Sequence, residues 1–188
     1  MKIIQIGNTR LPSEKAHTRQ IIEMANSLQS KYDSILYVPK RFQDNPTLKK
    51  NKIEKFYNIK KLKIKFLFGF DDIYWNKKIG MKVFLYILRI LLNFIHLIFV
   101  LNKNTDYVYS RELLLTVLLK IFGYKSIFEI HQFNTPDMSK SAFGKILKFH
   151  FLFNKSPLHL IAISKNLKKK ITNYWKYKNL KIDVLHDA

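Results

Sequence analysis

Short apolar runs alternate along the chain with segments whose apolar residues recur every three or four positions, a pattern that predicts strands alternating with helices. In the first helical segment Ala16, Ile21, Ala25 and Leu28 share one face, and Ser13 precedes them as the expected N-cap. The pattern predicts strands at 2–6, 34–38, 62–68, 106–109, 126–130, 158–163 and 181–185, and helices after residue 13, near 53–57, at 81–101, 113–122 and 140–153, and after a cap at Ser164.

This alternation predicts an α/β fold, in which a doubly wound parallel sheet is covered by helices on both faces. The length of 188 residues fits one Rossmann-like domain spanning 1–188. In such sheets ligands bind at the carboxyl ends of the strands. The candidate site residues are therefore those that follow the strands: Gly7, Asn8, Thr9, Arg10, Ser110, Arg111, Glu112, His131, Gln132, Ser164, Lys165, His186 and Asp187.

The helical segment 81–100 is long and apolar enough to span a bilayer, but four polar residues interrupt it. Lys82, Arg89, Asn93 and His96 follow each other at spacings of 7, 4 and 3, so they lie on one stripe. A charge near mid-bilayer costs about 2.5–3.5 kcal/mol, which disfavours a single span. Two interpretations stay open: a core helix with a narrow wet stripe, which is the simpler one, and a helix that lies in the membrane interface.

The charge and composition narrow the functional classes. The chain has 34 basic and 13 acidic residues, a net charge of +21, which favours phosphate-rich or anionic partners. The excess is concentrated at 40–82 and 138–182, although a codon bias that enriches Lys is an alternative source of its amount. The chain has no Cys, so disulfides, cysteine-ligated metals and thiol catalysis are excluded.

Two loops carry polar groups suited to ligand binding. Gly7 joins the first strand to the first helix, and Ser13, Lys15 and His17 cluster at the start of that helix, where an anion is favoured. A lone Gly is not the dinucleotide fingerprint, and an ordinary turn is the alternative.

A histidine and an arginine also follow strands. His131 ends a strand, where an imidazole can hydrogen-bond a sugar or phosphate, or transfer a proton; a structural His is the equal alternative. Arg111 follows strand 106–109 and suits anion or hydroxyl recognition, with a surface Arg as the alternative. No pair of histidines has metal-site spacing with carboxylate support, so we predict no metal.

Five segments, taken in order, resemble glycosyltransferase family 4. Each one matches a loop, a strand end or a helix start of the family's N-terminal domain, and together they cover nearly the whole chain. The segments are Leu11-Pro12-Ser13-Glu14-Lys15-Ala16-His17 with its helix, Asp106-Tyr107-Val108-Tyr109-Ser110-Arg111, Phe128-Glu129-Ile130-His131, Ile161-Ala162-Ile163-Ser164-Lys165-Asn166-Leu167 and Val184-Leu185-His186-Asp187-Ala188.

The resemblance implies the N-terminal, acceptor-binding half of a two-domain GT-B enzyme that transfers a sugar with retention and without a metal. It implies that the nucleotide sugar is a co-substrate and that the donor-binding C-terminal domain is not among these residues. By position it implies donor contacts for Gly7 and Asn8, and a catalytic role for His131 beside the transferred sugar. It implies acceptor contacts for Ser13, Lys15, His17, Arg111 and Ser164.

The leading functional expectation is a glycosyltransferase half that builds a surface polysaccharide on a glycan or lipid-linked acceptor. Its expected location is the cytoplasm, peripheral on the inner face of the cell membrane, whose anionic surface suits the basic stretches. The alternative is an inactive fragment or a subunit that docks with a separate donor-binding chain. A nucleic-acid binder ranks last, because no recognition helix, Arg-rich segment or RNA-binding aromatic motif accompanies the charge.

Overall fold

The computed structural model describes residues 2–9, 11–40, 46–59, 61–70, 79–104, 106–131, 145–146, 158–175 and 181–185. Strands and helices alternate through these residues as predicted. The strands are β1 (Lys2–Ile6), β2 (Asp33–Lys40), β3 (Ile64–Phe70), β4 (Asp106–Ser110), β5 (Lys125–Ile130), β6 (His159–Ala162) and β7 (Ile182–Val184). The helices are α1 (Ala16–Lys31), α2 (Pro46–Tyr57), α3 (Ile79–Val100), α4 (Leu113–Ile121) and α5 (Lys165–Trp175).

The seven strands form a single sheet in the order β3-β2-β1-β4-β5-β6-β7, and every pair is parallel. The α/β class and the doubly wound parallel sheet are therefore confirmed, and β3 is an outer strand as expected. β1 pairs with β2 on one side and β4 on the other, so the strand order reverses direction there. The crevice at such a reversal is where ligands bind in sheets of this kind.

Both faces of the sheet are buried, as a doubly wound fold requires. Along β2, Ile35 and Tyr37 pack in the cluster under α3 and α4, whereas Leu36 and Val38 pack in the cluster under α1 and α2. Successive strand residues point to opposite faces, so this unbroken apolar run supplies two cores.

Several predicted boundaries differ from the structure. Pro39 does not end the second strand, because the strand continues to Lys40 with a register irregularity at the sheet edge, where a missing N–H is tolerated. Ala16 is exposed, and the buried face of α1 is formed by Thr18, Ile21, Ile22 and Ala25. Gly123 ends α4 with φ +88°, as predicted. The predicted helix 140–153 lies outside the described residues, apart from residues 145–146.

Helix α3 differs from an ordinary surface helix, because it buries polar residues and exposes several apolar ones. Arg89 and Asn93 are each only 4% exposed, so the middle of the predicted polar stripe is buried rather than wet, whereas Lys82 is exposed and His96 is half-buried. Ile90 and Leu97 pack in the core beside the stripe, while Phe84, Leu91 and other apolar residues face outward. The stretch 80–100 is long and apolar enough to cross a membrane, and 28% of it is buried.

Candidate functional site

The crevice at the strand reversal begins with Gly7, which directly follows β1. Its N–H donates to the Tyr37 carbonyl at 2.9 Å. A Cβ at this position would lie 3.0 Å from Ile21 Cγ2 and 3.3 Å from Leu36 Cδ1. The absence of a side chain at Gly7 therefore lets α1 pack close to the sheet. The sequence alone did not predict this packing role for Gly7.

The carboxyl edge of β4 and β5 holds a carboxylate with three partners. Glu129, whose side chain is 1% exposed, accepts two hydrogen bonds from Arg111, Nε to Oε2 and Nη2 to Oε1, both at 2.9 Å. The Tyr109 hydroxyl donates to Oε2 as well. His131 Nε2 lies 2.6 Å from Oε1, because residues 129 and 131 point to the same face of their strand. We call these four residues the Glu129 cluster.

The electrostatics of the Glu129 cluster favour an ionised carboxylate. Burial alone would raise the pKa of Glu129, but hydrogen bonds from His131, Arg111 and Tyr109, together with the Arg111 charge, hold this pKa at about 2. Burial, the adjacent Glu129 charge and the hydrogen bond to it raise the pKa of Tyr109, so its hydroxyl keeps its proton. At neutral pH the cluster therefore contains a permanent Glu129–Arg111 ion pair.

The cluster leaves donors and acceptors for a further group. Because Glu129 is ionised, the Nε2 of His131 carries a proton toward it, which leaves Nδ1 as the second polar atom of a ring that is 26% exposed. Arg111 Nη1 is buried and has no hydrogen-bond partner among the described residues. A buried donor of this kind is a group that an incoming ligand oxygen can satisfy.

His17 lies close enough to this cluster to sense its charges. Burial, and then the charges of Arg111, His131 and Lys15, lower the pKa of His17 below its ordinary value. The structure thus brings together four of the predicted site residues, His17, Lys15, Arg111 and His131, from the start of α1 and the ends of β4 and β5. All four are basic groups, so together they favour an anionic or hydroxyl-rich ligand.

A second buried cluster surrounds Glu112, next to Arg111 in the chain. Arg89 Nη2 lies 3.1 Å from Glu112 Oε2, and Arg89 Nη1 donates to Asn8 Oδ1 at 2.7 Å. Asn8 Nδ2 and the Tyr86 hydroxyl also donate to the Glu112 carboxylate. Asn8 is therefore fixed at the carboxyl end of β1 by a helix that lies far away in the sequence. We call these residues the Glu112 cluster.

The structure gives Ser13 and Ser164 structural roles. Ser13 is not the N-cap of α1, because Lys15 occupies that position without a side-chain cap; the Ser13 backbone instead exchanges hydrogen bonds with the Tyr57 hydroxyl at 2.9 and 2.6 Å. Ser164 does cap its helix, since its Oγ accepts from the Leu167 N–H at 3.1 Å. That hydroxyl is committed to the backbone and has less capacity for an acceptor.

Sequence reasoning selected Glu112 by its position after a strand, but it missed the other residues that hold the site together, namely Glu129, Tyr109, Arg89 and Tyr86. A signal existed for the charged ones. Glu129 stands inside an apolar strand, and Arg89 stands inside an apolar helix. A charge in such a position is stable only with a buried partner of opposite sign, although the sequence does not say which partner.

No protein-family model matches the chain, and no curated protein matches it significantly. The case for a function therefore rests on the order of the motifs and on the geometry of the carboxyl edge.

Proposed function

We propose that these residues form the acceptor-binding half of a retaining glycosyltransferase, which transfers a sugar from a nucleotide sugar to a membrane-associated glycan or lipid-linked acceptor. The observation that carries the proposal is the Glu129 cluster at the carboxyl edge of a Rossmann-like sheet. The residues that resemble the family's Ser/Thr-Arg and Glu-x-His strand ends meet there in one hydrogen-bonded group.

In this proposal Glu129 is a positioning residue. Its two oxygens fix the Arg111 guanidinium and the His131 ring, so both groups are held in place before a ligand binds. Preorganised groups lose little conformational entropy on binding and stabilise developing charge without rearranging.

The proposed catalytic residue is His131. Its Nδ1 can hydrogen-bond a hydroxyl of the transferred sugar, while positive charge develops on that sugar as its bond to the nucleoside diphosphate breaks. The anomeric carbon then bonds to the oxygen of an acceptor hydroxyl, and the proton of that hydroxyl passes to a phosphate oxygen of the departing nucleoside diphosphate. In this proposal Asn8, which bonds to Glu112 and Arg89 at the carboxyl end of β1, lies next to the donor phosphates.

The acceptor side of the proposed site is basic. Arg111, His17 and Lys15 suit an acceptor that carries a diphosphate, such as a polyprenyl diphosphate. The lowered pKa of His17 keeps its imidazole neutral when the site is empty, and a bound anion would raise that pKa.

Calorimetric titration of the chain with farnesyl diphosphate, and with farnesol as the uncharged comparison, tests the acceptor site. We expect binding of the diphosphate only, a loss of about tenfold or more in affinity for Arg111→Gln, and a smaller loss for Arg111→Lys. Lys168→Gln, which removes one exposed charge on α5, is the matched control and should bind as the unmodified chain does. Circular dichroism confirms the fold of each variant.

Equal losses of affinity for farnesyl diphosphate in Arg111→Gln and Lys168→Gln would show that binding depends only on general charge attraction. That result would overturn the acceptor assignment. Binding of farnesol with the same affinity would overturn it as well, because the basic groups would then play no part.

A further inference from the structure

The outward side of α3 carries a continuous apolar row. Phe84, Leu88, Leu91, Ile95 and Phe99 follow each other at spacings of 4, 3, 4 and 4, which aligns them along one helical face. Each is at least 40% exposed, and Phe99 reaches 83%. We call this row the outer face of α3. A surface helix normally turns its apolar face inward, so an exposed apolar row of this length, uncovered by the residues that the structure describes, indicates a contact surface for a partner.

Neighbouring elements extend the apolar surface. Ile121 and Phe122, at the end of α4, are both at least half exposed. The Phe122 ring meets the Phe94 ring of α3 edge to face, with 4.9 Å between centroids, so the end of α4 is joined to α3. The surface therefore includes two helices rather than isolated residues.

The exposed charges of this region are all positive. Within the described residues of 79–125, Lys82, Lys103 and Lys125 are exposed, whereas the two acidic residues, Asp106 and Glu112, are buried. An apolar face with exposed lysines along the same stretch of chain complements a bilayer with anionic headgroups. In a bilayer contact the apolar side chains of such a face enter the acyl boundary and lysines at its rim extend toward the phosphates. Lys82 shares the stripe of Arg89 and is therefore not on the outer face itself.

The packing of α3 favours a contact along a bilayer surface over a crossing of the bilayer. Its inner side is packed against the sheet through Ile90 and Leu97, and Arg89 is paired with Glu112. Leaving the fold to span a bilayer would break this buried ion pair and expose the core. A length of 22 residues gives a contact of about 33 Å along the interface.

From these observations we propose that the outer face of α3 docks on an anionic lipid bilayer and lies in its interfacial region. Arg89 links the docked helix to Asn8 and Glu112, so docking would also set the distance between the membrane and the carboxyl edge of the sheet. The proposal is independent of sugar transfer, because vesicle binding requires no substrate.

The absence of cysteine allows a direct test. Leu91→Cys and Ile95→Cys place single thiols on the outer face, and Phe56→Cys places one at a similarly exposed apolar position on α2. Each protein is labelled with an environment-sensitive fluorophore and mixed with phosphatidylcholine vesicles, with or without phosphatidylglycerol. We expect a blue shift at positions 91 and 95 with phosphatidylglycerol vesicles, weakened by salt, and no shift at position 56.

Vesicle sedimentation measures the strength of docking. The double variant Leu91→Gln and Ile95→Gln should lower partitioning into phosphatidylglycerol vesicles by about tenfold, because two half-exposed side chains lose their apolar transfer free energy. Phe56→Gln should partition as the unmodified chain does. Sedimentation velocity without vesicles reports the oligomeric state.

Three results would overturn the proposal. The first is an equal shift at all three labelled positions, and the second is partitioning unaffected by the double variant. The third is a concentration-dependent dimer that the double variant converts to monomer without loss of vesicle binding, which would assign the outer face to a second copy of the chain.

Discussion

Replacement of Glu129 by glutamine tests the central physical claim about the site. The substitution keeps the shape of the side chain and removes its charge. Arg111 would then be left as a buried cation without its counter-ion, and the hydrogen bonds from Tyr109 and His131 would weaken. We expect the variant to fold and to be markedly less stable.

Two independent arguments give the size of the effect. A pKa of about 2 in the folded chain, against 4.5 for an unperturbed glutamate, corresponds to about 3 kcal/mol of folding free energy. Removal of one partner from a buried ion pair typically costs about 3–5 kcal/mol. For a chain of this length, a loss of about 3 kcal/mol lowers the thermal midpoint by roughly 6–12 °C.

The pH dependence follows from the direction of this shift. Since folding depresses the pKa of Glu129, its contribution is complete above the unfolded value of 4.5 and is lost as pH falls toward the folded value of about 2. Urea unfolding followed by circular dichroism at several pH values measures it. The free energies of unfolding of the two proteins should differ by a constant amount from pH 7 to about 4.5 and converge below that.

The exposed pair His159–Asp183 is a matched control, since its Nε2–Oδ2 distance of 2.6 Å equals that of the His131–Glu129 contact. Asp183→Asn should change the free energy of unfolding by no more than about 1 kcal/mol, because the pair is open to solvent. A difference for Glu129→Gln below about 1 kcal/mol, or one that persists unchanged to pH 2, would refute the reasoning.

Three further predictions concern packing, chemistry and completeness. Gly7→Ala should destabilise the chain by about 1–3 kcal/mol in urea unfolding, because the new methyl group meets Ile21 at 3.0 Å, whereas Gly80→Ala has open space and should be neutral or stabilising. His131→Ala should lower the thermal midpoint less than Glu129→Gln does and should reduce sugar transfer when the chain is combined with a donor-binding half; a large fall in midpoint with an unchanged rate would make His131 structural. If the proposed function is right, the 188 residues alone should give no transfer from any of a panel of nucleotide sugars to a lipid acceptor, since the glycosyltransferases that the chain resembles bind the donor through another domain, and robust turnover would contradict the half-site proposal.

The sequence predicted the strands well, because their signal is local. Runs such as 126–130 are apolar and bounded by polar residues, so tertiary contacts moved their ends by only one or two residues. Helix α2 was predicted only near 53–57, although it begins at Pro46. Its lysine-rich first half carries little apolar periodicity, while its buried Ile53 lies in the same core cluster as Ile21 and Ile22 of α1.

The sequence predicted where the candidate site residues lie, but it did not predict which of them form hydrogen bonds or ion pairs with each other. The rule that ligands bind at carboxyl strand ends was enough to select Arg111 and His131, and His17 was selected from the polar cluster at the start of the first helix. It did not reveal that Glu129 joins two of them, because a pairing between neighbouring strands depends on the sheet order. The sequence also did not predict that the polar residues Arg89 and Asn93 of α3 are buried. Periodicity gives the angle between the polar and apolar faces of a helix, but it does not show which face is turned inward.

Two arginines differ from the many exposed lysines in how they are bound within the fold. A codon bias toward lysine would add exposed cations but would not explain Arg89 and Arg111, which are held by buried carboxylates at the carboxyl edge of the sheet. Arg111 binds Glu129 through two nitrogens at once, and Arg89 bridges Asn8 and Glu112. A lysine has a single ammonium and cannot reproduce either contact. In this chain Arg89 and Arg111 therefore mark the candidate site, and the exposed lysines fit the anionic partner that we propose.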